Sequence, residues 1–380
     1  MTTERRVEIV GAGFAGLAAA CALAQRGWRV RVHERAPALR TAGAGIYIYE
    51  NGLRVLEALG AYADAIAGAH VAHTREVRDD RNRVLSVHHW DTTRSRVFSI
   101  VRQTVINALA AAARRAGAEI VTNSVAQAAT PDGELILSDG SRLIADLIIG
   151  ADGVNSVVRD ALGLVRTRRR LPDGATRMLI KQQPNEPRFA QPGFTIEYWS
   201  GSRRILFTPC SATEIYIALT MLDRDAPAKR VPVDKGEWIR SFPHLADLIR
   251  RFGTEGRYDA FELIKLKRWS GGRVAILGDA AHAQPPNIGQ GAGCGMMNAL
   301  ALAVHLDRNR DINQALDIWE ANERPLTEHT QRVAYLLGVP TTWPPVFRNL
   351  ALGIAGRSRW LVNQRIKTAL HSPTGTASRI

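Results

Sequence analysis

Three separated stretches of this 380-residue chain carry residue types suited to holding a dinucleotide. Gly11-Ala12-Gly13-Phe14-Ala15-Gly16 fits G-x-G-x-x-G, in which missing Cβ atoms let the backbone approach a pyrophosphate at a helix N-terminus. Glu34 follows Gly16 by 18 residues and supplies the acidic group that accepts hydrogen bonds from an adenosine ribose. That pairing says dinucleotide and leaves NAD and FAD undivided. The third stretch divides them. Residues 274–279 form an apolar run ending in Gly278-Asp279, followed by Pro285-Pro286 and Gly289-Gln290-Gly291-Ala292-Gly293. A carboxylate at a strand end sits where sheet ligands bind and can accept hydrogen bonds from a ribityl chain, which NAD lacks. Successive amides at Gly291, Ala292 and Gly293 can stabilise negative charge on a reduced flavin. The plainer alternative makes Asp279 a helix N-cap.

These groups need a scaffold, and the pattern supplies one. Residues 7–10 read as a strand, 17–26 as an Ala/Leu helix stopped by Gly27, and 30–34 as a second strand, giving a βαβ unit. A helix is expected over 51–59 with Asn51 as its cap, and another over 104–116. Residues 135–137 and 143–150 bracket the hairpin-like Asp139-Gly140, and the second run ends at Ile149-Gly150-Ala151-Asp152-Gly153. Strand-like segments at 195–199, 204–208 and 214–220 imply an inserted sheet; a buried strand at 274–277 and a helix at 291–306 then return the chain to the first unit. The expected class is α/β: a Rossmann-like FAD-binding domain, an inserted, mostly antiparallel β-sheet substrate domain, and C-terminal helices. The expected boundaries are 1–165, with a small substrate-side insertion near 71–100; then 166–268 for the sheet, 269–340 for the returning FAD-binding part, and 341–380 for a helical tail.

With 46% hydrophobic residues, the chain supports an ordinary folded core. No apolar stretch reaches the roughly 18 residues of a spanning helix, and the N-terminus shows no secretory pattern. Cys21, Cys210 and Cys294 form no close pair, which fits a reducing cytoplasm and implies no metal set. The formal charge of +14 is spread along the chain, which fits anionic cofactors and acidic substrates better than nucleic acid. Arg168-Arg169-Arg170 is the one tight cluster and reads as a solvated loop.

Taken together, Gly11 to Gly16, Ile149-Gly150-Ala151-Asp152-Gly153 with Ser156 and Arg159, and Gly278-Asp279 through Gly293 resemble the single-component, FAD-dependent aromatic-ring monooxygenases of the p-hydroxybenzoate hydroxylase type. The likeness covers nearly the whole chain. It implies FAD contacts at Gly11, Gly13, Phe14, Ala15, Gly16, Glu34, Arg35, Arg40, Arg102, Asp152, Asp279, Gly291, Ala292 and Gly293, with Pro286 in the flavin loop. Arg102 matches the position whose guanidinium meets the dinucleotide backbone, a task suited to Arg; the alternative is an exposed arginine at a helix start. A detailed local likeness to pyridine-ring oxygenases within that family covers Gly43 to Tyr47, Asn51 to Glu57, Arg204 to Leu206, Pro209-Cys210 and Gln290 to Cys294. It puts Tyr47, Arg204 and Tyr216 among the polar groups of the substrate pocket, with Arg75 where those enzymes keep a third tyrosine.

The resemblance implies that NADH or NADPH reduces FAD, that O2 adds to give a C4a-hydroperoxide, and that its distal oxygen passes to a hydroxylated ring. The cofactor carries the hard chemistry, while the protein positions the ring and excludes water. The expected substrate is a small anionic aromatic or N-heteroaromatic acid, with hydroxylation and ring opening both open. Arg204 is the candidate for the anionic group, and Tyr47 and Tyr216 for orienting the ring. Expected partners include no nucleic acid and no integral membrane association, and homo-oligomerisation stays open. His282 lies in the flavin motif with no partner readable from sequence. The alternatives are a related reductase, halogenase or oxidase acting on a larger phenol, or a flavin- or nucleic-acid-binding protein without turnover. No Trp-x-Trp-x-Ile segment supports a halogenase.

Overall fold

The computed structural model describes residues 5–39, 44–93, 95–183 and 192–376. Arg40 and Gly43 lie outside the described residues.

The strand Arg6–Val10, rich in β-branched residues, pairs in parallel with Arg29–His33 and with Leu147–Gly150. Val274–Ile276 and Ser270–Gly271 extend this six-stranded sheet on one side and Glu119–Val121 on the other, with only the Ser270–Gly271 edge antiparallel. The helix Phe14–Ala24 is buried on nearly every side, from Phe14 to Leu23. Its Ala-rich sequence suits this, because the helices Arg102–Arg115 and Gly291–Arg308 both pack against it.

A seven-stranded sheet forms the second layer. Its order is Arg257–Leu266, Val165–Lys181, Glu214–Leu222, Arg203–Pro209, Phe194–Ser200, Thr74–Asp79, Val84–His89. All neighbours are antiparallel except Phe194–Ser200 with Thr74–Asp79. Alternation along these strands sorts the side chains. Ile196, Tyr198, Ile205, Phe207, Ile215 and Ile217 join Trp238 and Phe242 in one apolar core. Thr195, Glu197, Arg204, Thr208 and Tyr216 alternate with them and so face the opposite way, and Arg75, in register with Thr195, joins that face. A small sheet of Gly45–Tyr49, Val97–Val101 and His70–Val71, with the helix Glu50–Ala58, adjoins it.

Three expectations need correction. Asn51 is not a cap: the helix starts at Glu50 after Tyr49, and Asn51 is fully buried, bonding Gln290 and the Met297 sulfur. Arg168, Arg169 and Arg170 lie in the strand Val165–Lys181 rather than a loop, with Arg168 paired to Glu262 at 2.7 Å and Arg170 to Asp223 at 2.9 Å. The run 143–150 is two elements: Arg142–Ile144 forms the hairpin with Glu134–Leu137, while Leu147–Gly150 enters the six-stranded sheet. Among the described residues, no helix is long and apolar enough to cross a membrane.

Candidate active site

The glycine loop is shaped by contacts a side chain would destroy. Gly11 has φ +99°, and a Cβ there would lie 2.5 Å from the Ala151 carbonyl oxygen. A Cβ at Gly16 would overlap the Gly11 carbonyl, whereas one at Gly13 would meet nothing within 4 Å, so Gly13 faces an open groove. Gly13 is also the N-cap of the helix Phe14–Ala24, which has no side-chain cap and no acid in its first turn. Its free amides and positive dipole end suit an anion, and Phe14 and Ala15 begin that turn. The Glu34 carboxylate accepts hydrogen bonds from the Ala12 and Ala36 amides at 3.0 and 2.9 Å, tying the second strand's end to the loop; Arg35 is exposed beside it.

Across the groove, the Arg102 guanidinium stands 5.0 Å over the Phe14 ring, with its buried Nε unpartnered. Burial pushes this group down from its ordinary value, and Asp279 partly restores it. Asp279 reaches solvent along the groove, but the surrounding protein desolvates its carboxyl and pushes it up, opposed by Arg102 and then Arg177. The Asp279 side chain makes no hydrogen bond among the described residues. Asp152 accepts from the Val157 amide at 2.8 Å through Oδ2, while its buried Oδ1 has no partner and desolvation raises the carboxyl. The helix Gly291–Arg308 starts at Gly291 and Ala292 without a side-chain cap. A Cβ at Gly293 would press to 2.9 Å from Gln290 Oε1, which Asn51 fixes from the other side at 3.0 Å. An unpaired guanidinium, an unpaired carboxylate and two uncapped helix starts along one groove fit a ligand with both a pyrophosphate and a polyol, as FAD has. His282 stands apart: it bonds Asn298 at 3.0 Å, packs on Trp269, and burial pushes it down to about 4, so it is a neutral core residue.

The loop before the helix Gly291–Arg308 meets the small sheet at Gly289, where a Cβ would come 3.3 Å from the Tyr49 ring and 3.7 Å from Tyr47. Pro286, itself exposed, begins the 3-10 turn Pro286–Ile288 of the same loop, whose Ile288 is buried. The Tyr47 hydroxyl bonds Thr195 at 2.9 Å and also Thr208. Burial pushes its phenol well above the ordinary value of 10.0, so Tyr47 stays protonated. Tyr216 packs its ring on Gly45, whose absent Cβ would lie 2.6 Å from Tyr216 Cβ. Arg75 binds Glu197 at 2.6 Å; Arg204 lies 3.4 Å from both Glu197 and Asp173, and stacks 4.8 Å from the Trp199 ring. Burial alone would raise Glu197, but Arg75 and then Arg204 outweigh it and hold the carboxyl below its ordinary range.

Arg75, Arg204 and Tyr216 therefore share one face of the seven-stranded sheet, and Tyr47 reaches that face from the adjoining small sheet through Thr195 and Thr208, next to the loop that carries Pro286. Sequence reasoning missed Glu197, Asp173, Thr195 and Thr208. The period-2 alternation around Ile196 and Tyr198 was the available signal for Thr195 and Glu197. Tyr49, His88, Trp90 and Arg365, which line an adjoining cleft, come from three distant segments and left no such signal.

Residues 4–327 match the family described as the FAD binding domain. The chain is 43% identical over 375 residues, covering 98% of it and 97% of its relative, to a Rhodococcus erythropolis protein provisionally described as a 2-heptyl-3-hydroxy-4(1H)-quinolone synthase. It is 41% identical, covering 93% and 95%, to the 2-heptyl-3-hydroxy-4(1H)-quinolone synthase of Mycobacteroides abscessus. The structure of a tetrameric 2-methyl-3-hydroxypyridine-5-carboxylic acid oxygenase superposes with a TM-score of 0.88 at 37% identity, covering 99% and 98% of the two chains. With its groove shaped for a flavin dinucleotide and likeness of this extent, the chain belongs to the FAD binding domain family and is an FAD-dependent aromatic-ring monooxygenase.

Proposed function

We propose that this enzyme uses NADH or NADPH and O2 to hydroxylate an N-heteroaromatic ring bearing an exocyclic oxygen, with a 4-quinolone as the preferred type. The names of the two quinolone synthases support the ring class. The observation that carries the reading is the junction at Gly289, where the flavin loop and the aromatic pocket wall of Tyr47 and Tyr49 share one glycine. One oxygen atom enters the ring and the other leaves as water, with two electrons from the nicotinamide; bound FAD supplies the activation of O2.

The chain's own residues then have defined tasks. The amides at Gly13, with Arg102, would hold the pyrophosphate of bound FAD; Asp279 would take the ribityl hydroxyls; and the start of the helix Gly291–Arg308 would stabilise negative charge on the reduced ring. Glu34 and Asp152 fix the loops around the dinucleotide. Tyr47, kept protonated by burial and oriented by Thr195 and Thr208, positions the ring as a hydrogen-bond donor or acceptor rather than as a base. Tyr216 lines the same wall. Arg75 and Arg204 already face carboxylates, so they shape a polar floor rather than present a bare cation to an acid. This favours a ring with a polarised oxygen over a free aromatic carboxylate. Three free, buried cysteines suit a cytoplasmic setting.

Self-association belongs to the same reading. The helix Pro345–Arg357 exposes Val346, Phe347, Leu350 and Ile354 on one stripe, flanked by exposed Trp343 and Trp360, and the pyridine-ring oxygenase forms a tetramer. Light scattering on the purified protein should report more than one copy. Activity is tested by NAD(P)H oxidation and product mass across 4-quinolones, hydroxypyridine carboxylates, hydroxybenzoates and larger phenols. Stimulation by phenols alone would overturn the ring class.

A further inference from the structure

The helix Arg359–Ile366 closes the aromatic end of the pocket. Val362, Arg365 and Ile366 on this helix line a narrow cleft with Tyr49, His88 and Trp90. Trp90 stands edge-on to both neighbours, 6.0 Å from Tyr49 and 4.4 Å from His88. Tyr49 borders Gly289, and Ile288 beside it lines the cleft, so the cleft abuts the loop that leads into the helix Gly291–Arg308.

Arg365 is the unusual member. Its guanidinium makes no hydrogen bond or ion pair among the described residues, and no Asp or Glu follows Glu328 in the sequence to supply one from its own segment. Its charged neighbours are Arg75 and Glu197, and Glu197 is already engaged by Arg75 at 2.6 Å and by Arg204 at 3.4 Å, so Arg365 comes to that carboxylate as a third cation. An anchoring role for Arg365 would need an acceptor within hydrogen-bond reach, which the described residues do not offer. Burial, and after it the neighbouring Arg75, push the guanidinium down to about 10, the cost expected of a cation that awaits a partner.

We propose that Arg365 is a substrate-binding residue, its guanidinium donating to the exocyclic oxygen, oxo or oxido, of a heteroaromatic ring packed against Tyr49 and Trp90. The C-terminal helix then sets specificity from outside the two sheets. The oxygen carries partial or full negative charge and meets several N–H donors in one plane, which a lysine cannot reproduce. This inference rests on the proposed ring class, and the experiment separates the two.

Arg365→Gln and Arg365→Lys holoenzymes are titrated with 4-quinolone and with quinoline, which lacks the oxygen, following the flavin absorbance, and steady-state KM and kcat are measured with 4-quinolone. Removing one charged hydrogen bond should raise the quinolone Kd and KM ~10–100-fold in Arg365→Gln, with kcat much less affected and quinoline binding unchanged. Arg365→Lys should recover part of the loss. Equal weakening of both rings, or no change in either, overturns the role of Arg365. If Arg365→Gln fails to retain FAD, the quinolone-to-quinoline ratio in Arg365→Lys decides in the same way. Wild-type enzyme that binds neither ring overturns the ring class itself.

Discussion

Replacing Glu197 by Gln strikes the polar floor at its centre. The carboxylate holds Arg75 at 2.6 Å and Arg204 at 3.4 Å, and Glu197 is itself buried. Breaking a buried ion pair by removing one partner costs ~3–5 kcal/mol. Gln keeps one carbonyl acceptor, Arg204 keeps Asp173, and the Arg75 side chain is 22% exposed, so the expected loss is ~2 kcal/mol. Urea unfolding of wild type and Glu197→Gln, followed by tryptophan fluorescence, measures it. The sign with pH follows from the carboxyl lying below its ordinary 4.5: its contribution is complete above that value and is lost as pH falls through the folded value. The gap between the proteins should therefore be constant near neutrality and narrow in acid. The same change frees positive charge in the pocket, so a hydroxypyridine carboxylate should bind more tightly than to wild type. A stability gap under ~0.5 kcal/mol, within the range of an ordinary surface change, with no gain in carboxylate affinity would refute the reasoning.

Gly11→Ala should give a folded protein without yellow colour, because the added Cβ meets the Ala151 carbonyl and the backbone sits at φ +99°; FAD retained after gel filtration would contradict this. Tyr47→Phe should lower the yield of hydroxylated product per NAD(P)H and raise peroxide release, as the Thr195 and Thr208 bonds are lost. Since burial keeps Tyr47 protonated, the shape of the rate profile from about pH 6 to 9 should not change with that substitution. Glu50→Gln should destabilise by ~3 kcal/mol near neutrality, because Arg96 and Arg54 lose a shared, nearly fully buried carboxylate. Burial would raise that carboxyl, but Arg96 above all brings it to about 2, so the deficit should vanish as pH falls from 4.5 through that value.

What sequence reasoning reached and what it missed follow from the range of the interactions. Strand, glycine turn and helix at 6–24 are local: an apolar run, three glycines without Cβ and an Ala-rich stretch each force their own geometry. Asp279 before a glycine-rich helix start was legible for the same reason. Arg168 to Arg170 looked like a solvated loop because Glu262 and Asp223, which neutralise two of them along a strand, lie 94 and 53 residues away. Asn51 has cap chemistry, but its partners Gln290, just before the helix Gly291–Arg308, and Met297, within it, lie over 200 residues later and draw it inside. Arg204 could be picked out, but not that Asp173 and Glu197 meet it, which depends on sheet order.

The most direct test of the account follows labelled oxygen. Purified protein carrying FAD is given NADH or NADPH, a 4-quinolone and isotopically labelled O2, and the product is analysed by mass spectrometry. One labelled atom in a hydroxylated quinolone, with reductant oxidation stimulated by the ring, is the predicted result. Reductant consumed with only peroxide released, or a hydroxyl oxygen derived from water, would contradict the account.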